Sequence, residues 1–236
     1  MSFSERLQSF ERSLESRMAD FRCAVHLCLG QEGVPEVLAQ KLRADDWLFS
    51  THRSHGHYLA KAAAVSMHER ALAEAALLAE IEGRPDGVNG GFSGSQSFCD
   101  PALRFHSTAI VGGLIGVAAG AAHAMQLQAR DDIVVCCIGD AATEQGIFWE
   151  TLNWVSLLRL PVAFVCENNG LSVHAPIAAR QARPLRERVL AFGVSYWEGL
   201  GQLGRLLEFR HLLPGFAEVS VPRECKHVSA MEDLRE

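Results

Sequence analysis

Two residues at the ends of short apolar runs are the ones whose type and spacing suit chemistry. Asp140 follows IVVCCI and Gly139, and Asn168-Asn169 follows PVAFVC and Glu167. A carboxylate and an amide oxygen are hard donors, suited to magnesium or calcium. Magnesium takes one or two carboxylates and fills its shell with phosphate oxygens and water, so one Asp, one Asn and a backbone carbonyl suit an ion shared with a diphosphate. The backbone amides after Gly139, opening the next helix, can face phosphate oxygens. Alone, either dipeptide reads as a turn, since Asn and Asp favour turns. Their pairing at the ends of consecutive buried runs points to a clamp instead.

The elements that must position this pair are a strand over 133–138, an amphipathic helix over 146–159 carrying Phe148, Leu152, Val155 and Leu158, and a strand over 161–166. Continuous apolar strands joined through a helix indicate a parallel βαβ unit covered on both faces. The fold class is therefore α/β, a parallel sheet flanked by helices, and such sheets bind ligands outside the carboxyl ends of their strands. Upstream, Leu7, Phe10, Leu14, Met18, Phe21 and Val25 recur at helical spacing and predict an N-terminal amphipathic helix within residues 1–28, ahead of a main domain over 29–236. The His- and Gly-rich text from Asp45 to Lys61 reads as a loop. Residues 66–82 read as a helix stopped by Gly83 and Pro85, residues 83–107 as a long irregular connection, and residues 110–127 as an Ala/Gly-rich helix whose small residues allow close approach.

The 236 residues are 48% hydrophobic and 21% charged, enough for one well-buried core. A net charge of −6 and the lack of any basic run argue against a nucleic-acid surface. Seven cysteines form no CxxC pair, which suits a reducing cytoplasmic setting. The N-terminus carries Glu5, Glu11 and Glu15 and no apolar signal core, and no apolar run approaches membrane-spanning length.

The stretch GDAATEQGIFWETLNWVSLLRLPVAFVCENN resembles the thiamine diphosphate motif, GDG followed after a helix and a strand by NN. With RSHGHYLAKA, AEIEGRPDGVNGG and AIVGGLIGVAAGAAHA in order, and EVSVPRECKHV further on, the chain looks like the α subunit of the decarboxylating first component of 2-oxo acid dehydrogenase complexes, of pyruvate, acetoin and branched-chain type. The resemblance implies thiamine diphosphate and Mg2+ as cofactors. It makes Asp140, Asn169 and the Leu171 carbonyl the metal ligands. Gly139, Ala141, Ala142 and Asn169 would meet the diphosphate, with Arg53 as its guanidinium partner and His52 beside it. Ala109 and Val111 would meet the aminopyrimidine, and His55 and His227 would be the catalytic histidines. From residues alone, Arg53 also reads as a surface ion pair, Ala109 and Val111 as packed apolar residues, and His227 as part of a polar tail.

The sequence departs from the family pattern in several places. Ala141 replaces the third residue of GDG, His52 stands where relatives often carry tyrosine, and Gly94-Ser95-Gln96-Ser97 lacks the histidine of GGSMH. The segment between Asn169 and His227 is shorter than expected, and the C-terminal helices of the family are missing before Glu236, so the main domain reads as truncated there. The glutamate that activates the cofactor sits on a β-type subunit in this family. The resemblance thus implies a heterotetrameric α2β2 oxidoreductase that decarboxylates a 2-oxo acid and passes the acyl unit to a lipoyl-bearing acyltransferase or another acceptor, active only with its partner. The alternatives are a transketolase-like or acyloin-forming carboligase subunit, and a degenerate cofactor-binding paralogue with a structural role.

Overall fold

The computed structural model describes residues 1–223. Its first elements are α1 (Phe3–Glu15), α2 (Gly33–Lys41), β1 (Trp47–Ser50), α3 (His55–Val65), α4 (Met67–Ile81), β2 (Cys99–Asp100) and β3 (Phe105–Ser107). They are followed by α5 (Ile115–Leu127), β4 (Val134–Gly139), α6 (Gly146–Leu158), β5 (Val162–Asn168), β6 (Leu171–Ser172) and β7 (Ala175–Pro176). The last are α7 (Leu185–Ala191), β8 (Ser195–Glu198), α8 (Leu200–Glu208) and β9 (Gly215–Ser220). Two compact units emerge, one from residues 1–44 with 50–109, the other from 45–49 with 110–221. Helix α1 packs on α2 within the first unit.

The second unit is built on parallel strands in the order β1-β4-β5-β9-β8. Alternate residues of a strand face opposite sides. Val134, Cys136 and Ile138 of β4 and Val162, Phe164 and Cys166 of β5 join one apolar cluster with Leu152 and Val155 of α6 and Ala118 and Ala122 of α5. Val135, Cys137, Ala163 and Val165, on the other face, are equally buried. The predicted βαβ unit is present. Gly139 pairs with Glu167, so the chain leaves β4 and β5 from adjacent points on one sheet end.

In the first unit, α1 opens with a capping box: the Ser2 hydroxyl accepts from the Glu5 amide and the Glu5 carboxylate accepts from the Ser2 amide. Leu7, Phe10 and Leu14 are buried as the spacing predicts, but the helix stops at Glu15 instead of running to residue 28. There the Ser13 and Ser16 hydroxyls turn back onto the carbonyls of Phe10 and Ser13, and the Arg17 amide tightens onto Leu14. Such back-bonding competes with propagation. The predicted loop over 45–61 holds β1 and the start of α3 instead. Its polar side chains are buried with partners: His57 Nδ1 lies 2.8 Å from the Ser50 hydroxyl, and Lys61 donates to the carbonyls of Arg43 and Ala44.

Candidate functional site

Gly139 ends β4 in extended conformation, with nothing within 4 Å of where a side chain would stand, and the chain then turns through a 3-10 segment, Asp140–Glu144. The turn is held from inside. Ala142 is buried in the apolar cluster, and the Thr143 hydroxyl donates to the Asp140 carbonyl at 2.7 Å. This fixes Asp140 at the strand end with its carboxylate only 2% exposed. Burial pushes that carboxyl above the usual carboxylate range, while the Arg180 guanidinium, 2.5 Å away, pulls it back down.

Beyond β5, both asparagines fold the chain onto themselves. Asn168 Oδ1 accepts from the Gly170 amide at 2.8 Å and Asn169 Oδ1 from the Leu171 amide at 3.0 Å. The Asn168 amide nitrogen donates to Glu218 of β9 at 2.6 Å, which commits Asn168 to the sheet. Leu171 begins β6, and β6 packs against the Asp140–Glu144 turn. The fold therefore brings Asp140, Asn169 and Leu171 to one end of the sheet, as the sequence expectation requires. Ala141 is half-buried there, and Val111 is exposed at the approach to α5.

The donor set fits a magnesium ion shared with an anionic ligand. It offers one carboxylate, an amide oxygen whose two lone pairs are not exhausted by the turn bond, and a backbone carbonyl. Among the described residues no group of three or more His, Cys, Asp or Glu is arranged to hold a metal, so an ion here needs oxygens from its ligand and from water. The Arg180 guanidinium already stands in as a cation against Asp140. A cavity of about 470 Å³ nearby is lined by Gln181, Arg186, Tyr196, Glu198 and Glu218 among others, and by none of the expected cofactor residues.

His52, Arg53, His55 and Ala109 lie in the first unit. Arg53 is buried, with a guanidinium nitrogen donating to the Leu27 carbonyl, and His52 meets His26 edge to face at 4.7 Å. The burial of Arg53 does not fit a surface position. The Ala109 amide donates to the Ser97 hydroxyl at 2.8 Å. The resemblance implies a catalytic His55, but its ring is fully buried, with Nδ1 2.7 Å from Glu11 and Nε2 2.8 Å from the Ser95 hydroxyl. Both nitrogens are committed to partners within the fold in this arrangement. His227 lies outside the described residues.

Sequence reasoning missed Arg180, Glu144 and Gln181 around Asp140. Arg180 stands 40 positions from Asp140 and no spacing rule links them. It also missed Glu11, for which a signal existed: a carboxylate on the apolar face between Leu7 and Leu14, whose second oxygen accepts from the Cys28 amide at 2.6 Å.

A family model described as "Dehydrogenase E1 component" matches residues 5–195. The α subunit of acetoin:2,6-dichlorophenolindophenol oxidoreductase from Bacillus subtilis is 33% identical over 172 residues, covering 72% of this chain and 49% of that protein. The pyruvate dehydrogenase E1 component α subunit of Zymomonas mobilis is 30% identical over 204 residues, 80% of this chain and 55% of that one. The chain thus spans about half the length of the curated relatives it matches. A transketolase structure from Campylobacter jejuni covers 93% of this chain and 37% of its own at a TM-score of 0.69 and 15% identity, a likeness of fold alone. With a match over most of its length, this chain belongs to the dehydrogenase E1 component family.

Proposed function

We propose that this chain is the α-type subunit of a thiamine diphosphate-dependent enzyme that decarboxylates a 2-oxo acid and hands the acyl unit to a lipoyl or other acceptor. The family binds thiamine diphosphate with a divalent metal, commonly Mg2+. The observation that carries the reading is Asp140, buried at the end of β4 beside the Asn169–Leu171 turn of β5. In this reading Asp140, Asn169 and the Leu171 carbonyl hold the metal, and the backbone of Gly139 to Ala142 receives the diphosphate. Bound thiamine diphosphate supplies the electron sink for decarboxylation. The chain's own task is to hold the diphosphate end. Arg53, His52, Ala109, Val111 and His227 keep the roles their resemblance implies, and His55 positions the Arg53 segment.

A β-type partner carrying the activating glutamate completes the proposal, in an α2β2 assembly and with a lipoyl acyltransferase as the acceptor. Helix α5 supports a partner. One face (Ile115, Ala118, Ala122, Met125) is buried, while Val117, Gly120, Ala124 and Leu127 line an exposed apolar face. A helix apolar all round is normally covered on every side. Among the described residues no helix is long and apolar enough to cross a membrane.

Calorimetric titration of the chain with its partner, using thiamine diphosphate and magnesium, tests the site. Asp140→Ala should abolish magnesium-dependent binding while circular dichroism stays native. An affinity equal to that of the unmodified chain refutes the ligand assignment.

A further inference from the structure

The segment that follows β7 returns to the 3-10 turn and lays a cation on the very carboxylate assigned to the metal. All three guanidinium nitrogens of Arg180 are engaged. Nε donates to the Ala175 carbonyl at 3.0 Å, Nη2 to Asp140 at 2.5 Å and Nη1 to Glu144. The side chain is only 10% exposed, so this is a seated group rather than a surface arginine that happens to reach an acid. The next residue braces it. The Gln181 amide nitrogen lies 3.2 Å from Glu144 and 3.4 Å from the Asp140 carbonyl, and its oxygen accepts from Arg188.

A guanidinium bonded to Asp140 and a divalent cation bonded to Asp140 compete for one carboxylate. Both are positive, and at a site this dry the repulsion between them is weakly screened. Glu144 adds a second anchor for the arginine, which strengthens its hold over a single pair. A phosphate-bearing ligand changes the balance. Its oxygens offer the planar fork of the guanidinium another bidentate partner and give the metal the extra donors that the chain lacks.

We propose that Arg180 is a latch on the metal site: in the unloaded chain it occupies Asp140, and it must swing off before a divalent cation binds. The inference rests on Asp140 being the metal ligand. Its consequence is that bare metal binds poorly, and that metal and diphosphate load together.

The test is a titration of the full chain with Mn2+ alone, read by the electron paramagnetic resonance of the free ion, without thiamine diphosphate. Arg180→Ala should tighten Mn2+ binding about tenfold or more, within the usual range for two coupled sites. Glu144→Gln leaves Arg180 one carboxylate anchor and should tighten Mn2+ binding by a smaller factor, which keeps the test open should Arg180→Ala fail to fold. An Mn2+ affinity in these variants equal to or weaker than that of the unmodified chain overturns the latch. The same titration with thiamine diphosphate present separates the two readings. If Asp140→Ala then binds Mn2+ as the unmodified chain does, the metal assignment itself falls; if it binds none while Arg180→Ala matches the unmodified chain without cofactor, only the latch falls.

Discussion

Glu11 is a carboxylate with no exposure, and both of its oxygens are spoken for by the His55 ring and the Cys28 amide. Removing one member of such a buried group strands the others, which typically costs about 3 kcal/mol or more. Glu11→Ala should therefore lower the urea unfolding free energy by about 3 kcal/mol, and a change below about 1 kcal/mol would show that the group relaxes onto water instead. The buried thiols make a second case. Burial pushes the Cys136 and Cys166 thiols far above their ordinary value of 9.0. Only the thiolate is nucleophilic, so at pH 8 neither should react with iodoacetamide until the chain unfolds; modification in the native protein at the rate of a free thiol would contradict the burial. The linkage runs the same way. The fold binds these protons more tightly than the unfolded chain does, so stability is full below the unfolded thiol value and declines as pH rises past it. The buried Tyr58 and half-buried Tyr196 phenols, also pushed up, add the same sign at higher pH. The urea midpoint should fall between pH 8 and pH 10.

At the scale of elements, Gly91 tests how the connection after α4 is held. Buried Glu80 accepts from the amides of Asn89, Gly91 and Ser93 and winds the segment around one carboxylate. Gly91 has a φ of +78°, and a side-chain carbon there would stand 2.4 Å from the backbone of Gly83. Gly90 has a similar φ of +70° but meets only Phe92 at 3.5 Å. Gly91→Ala should thus combine left-handed strain with a backbone clash, about 3 kcal/mol in all, and Gly90→Ala about 1 kcal/mol. Equal melting temperatures for the two variants would remove the clash from the account. The same segment shows what could be read in advance. Strands β4 and β5 and helix α6 were legible because burial on both sheet faces demands continuous apolar runs, and a strand's end locates Asp140 and Asn169 without further knowledge. Helix α3 was not, because its buried His55, His57 and Lys61 take polar partners from other elements and leave no apolar period. Arg180 was invisible for a related reason. Its meaning depends on the return of the chain after β7, which is a property of the fold and not of spacing.

At the scale of the whole molecule, the apolar outer face of α5 is the feature that a solitary chain does not explain. Val117 is 51% exposed and Leu127 76%, with Gly120 and Ala124 between them at helical spacing and Ile110 and Val111 exposed just before the helix. Single exposed apolar residues need no account, but an aligned row on a helix whose opposite face is already core does. Small residues at Gly120 and Ala124 let another helix approach closely, and the flanking Val117 and Leu127 then fill the space on either side. Since Val117 is 51% exposed and outside the apolar core, Val117→Glu should leave its unfolding free energy within about 0.5 kcal/mol of the original. In the assembly the same change would bury an unpaired carboxylate at the centre of the contact, a penalty of several kcal/mol. Co-expression of Val117→Glu with the β-type subunit should then yield folded α chain that no longer co-purifies, while Glu187→Ala, a change on the exposed side of α7, leaves co-purification intact. Retention of the partner by Val117→Glu would place the subunit contact elsewhere on the chain and leave the α5 face without its proposed cover.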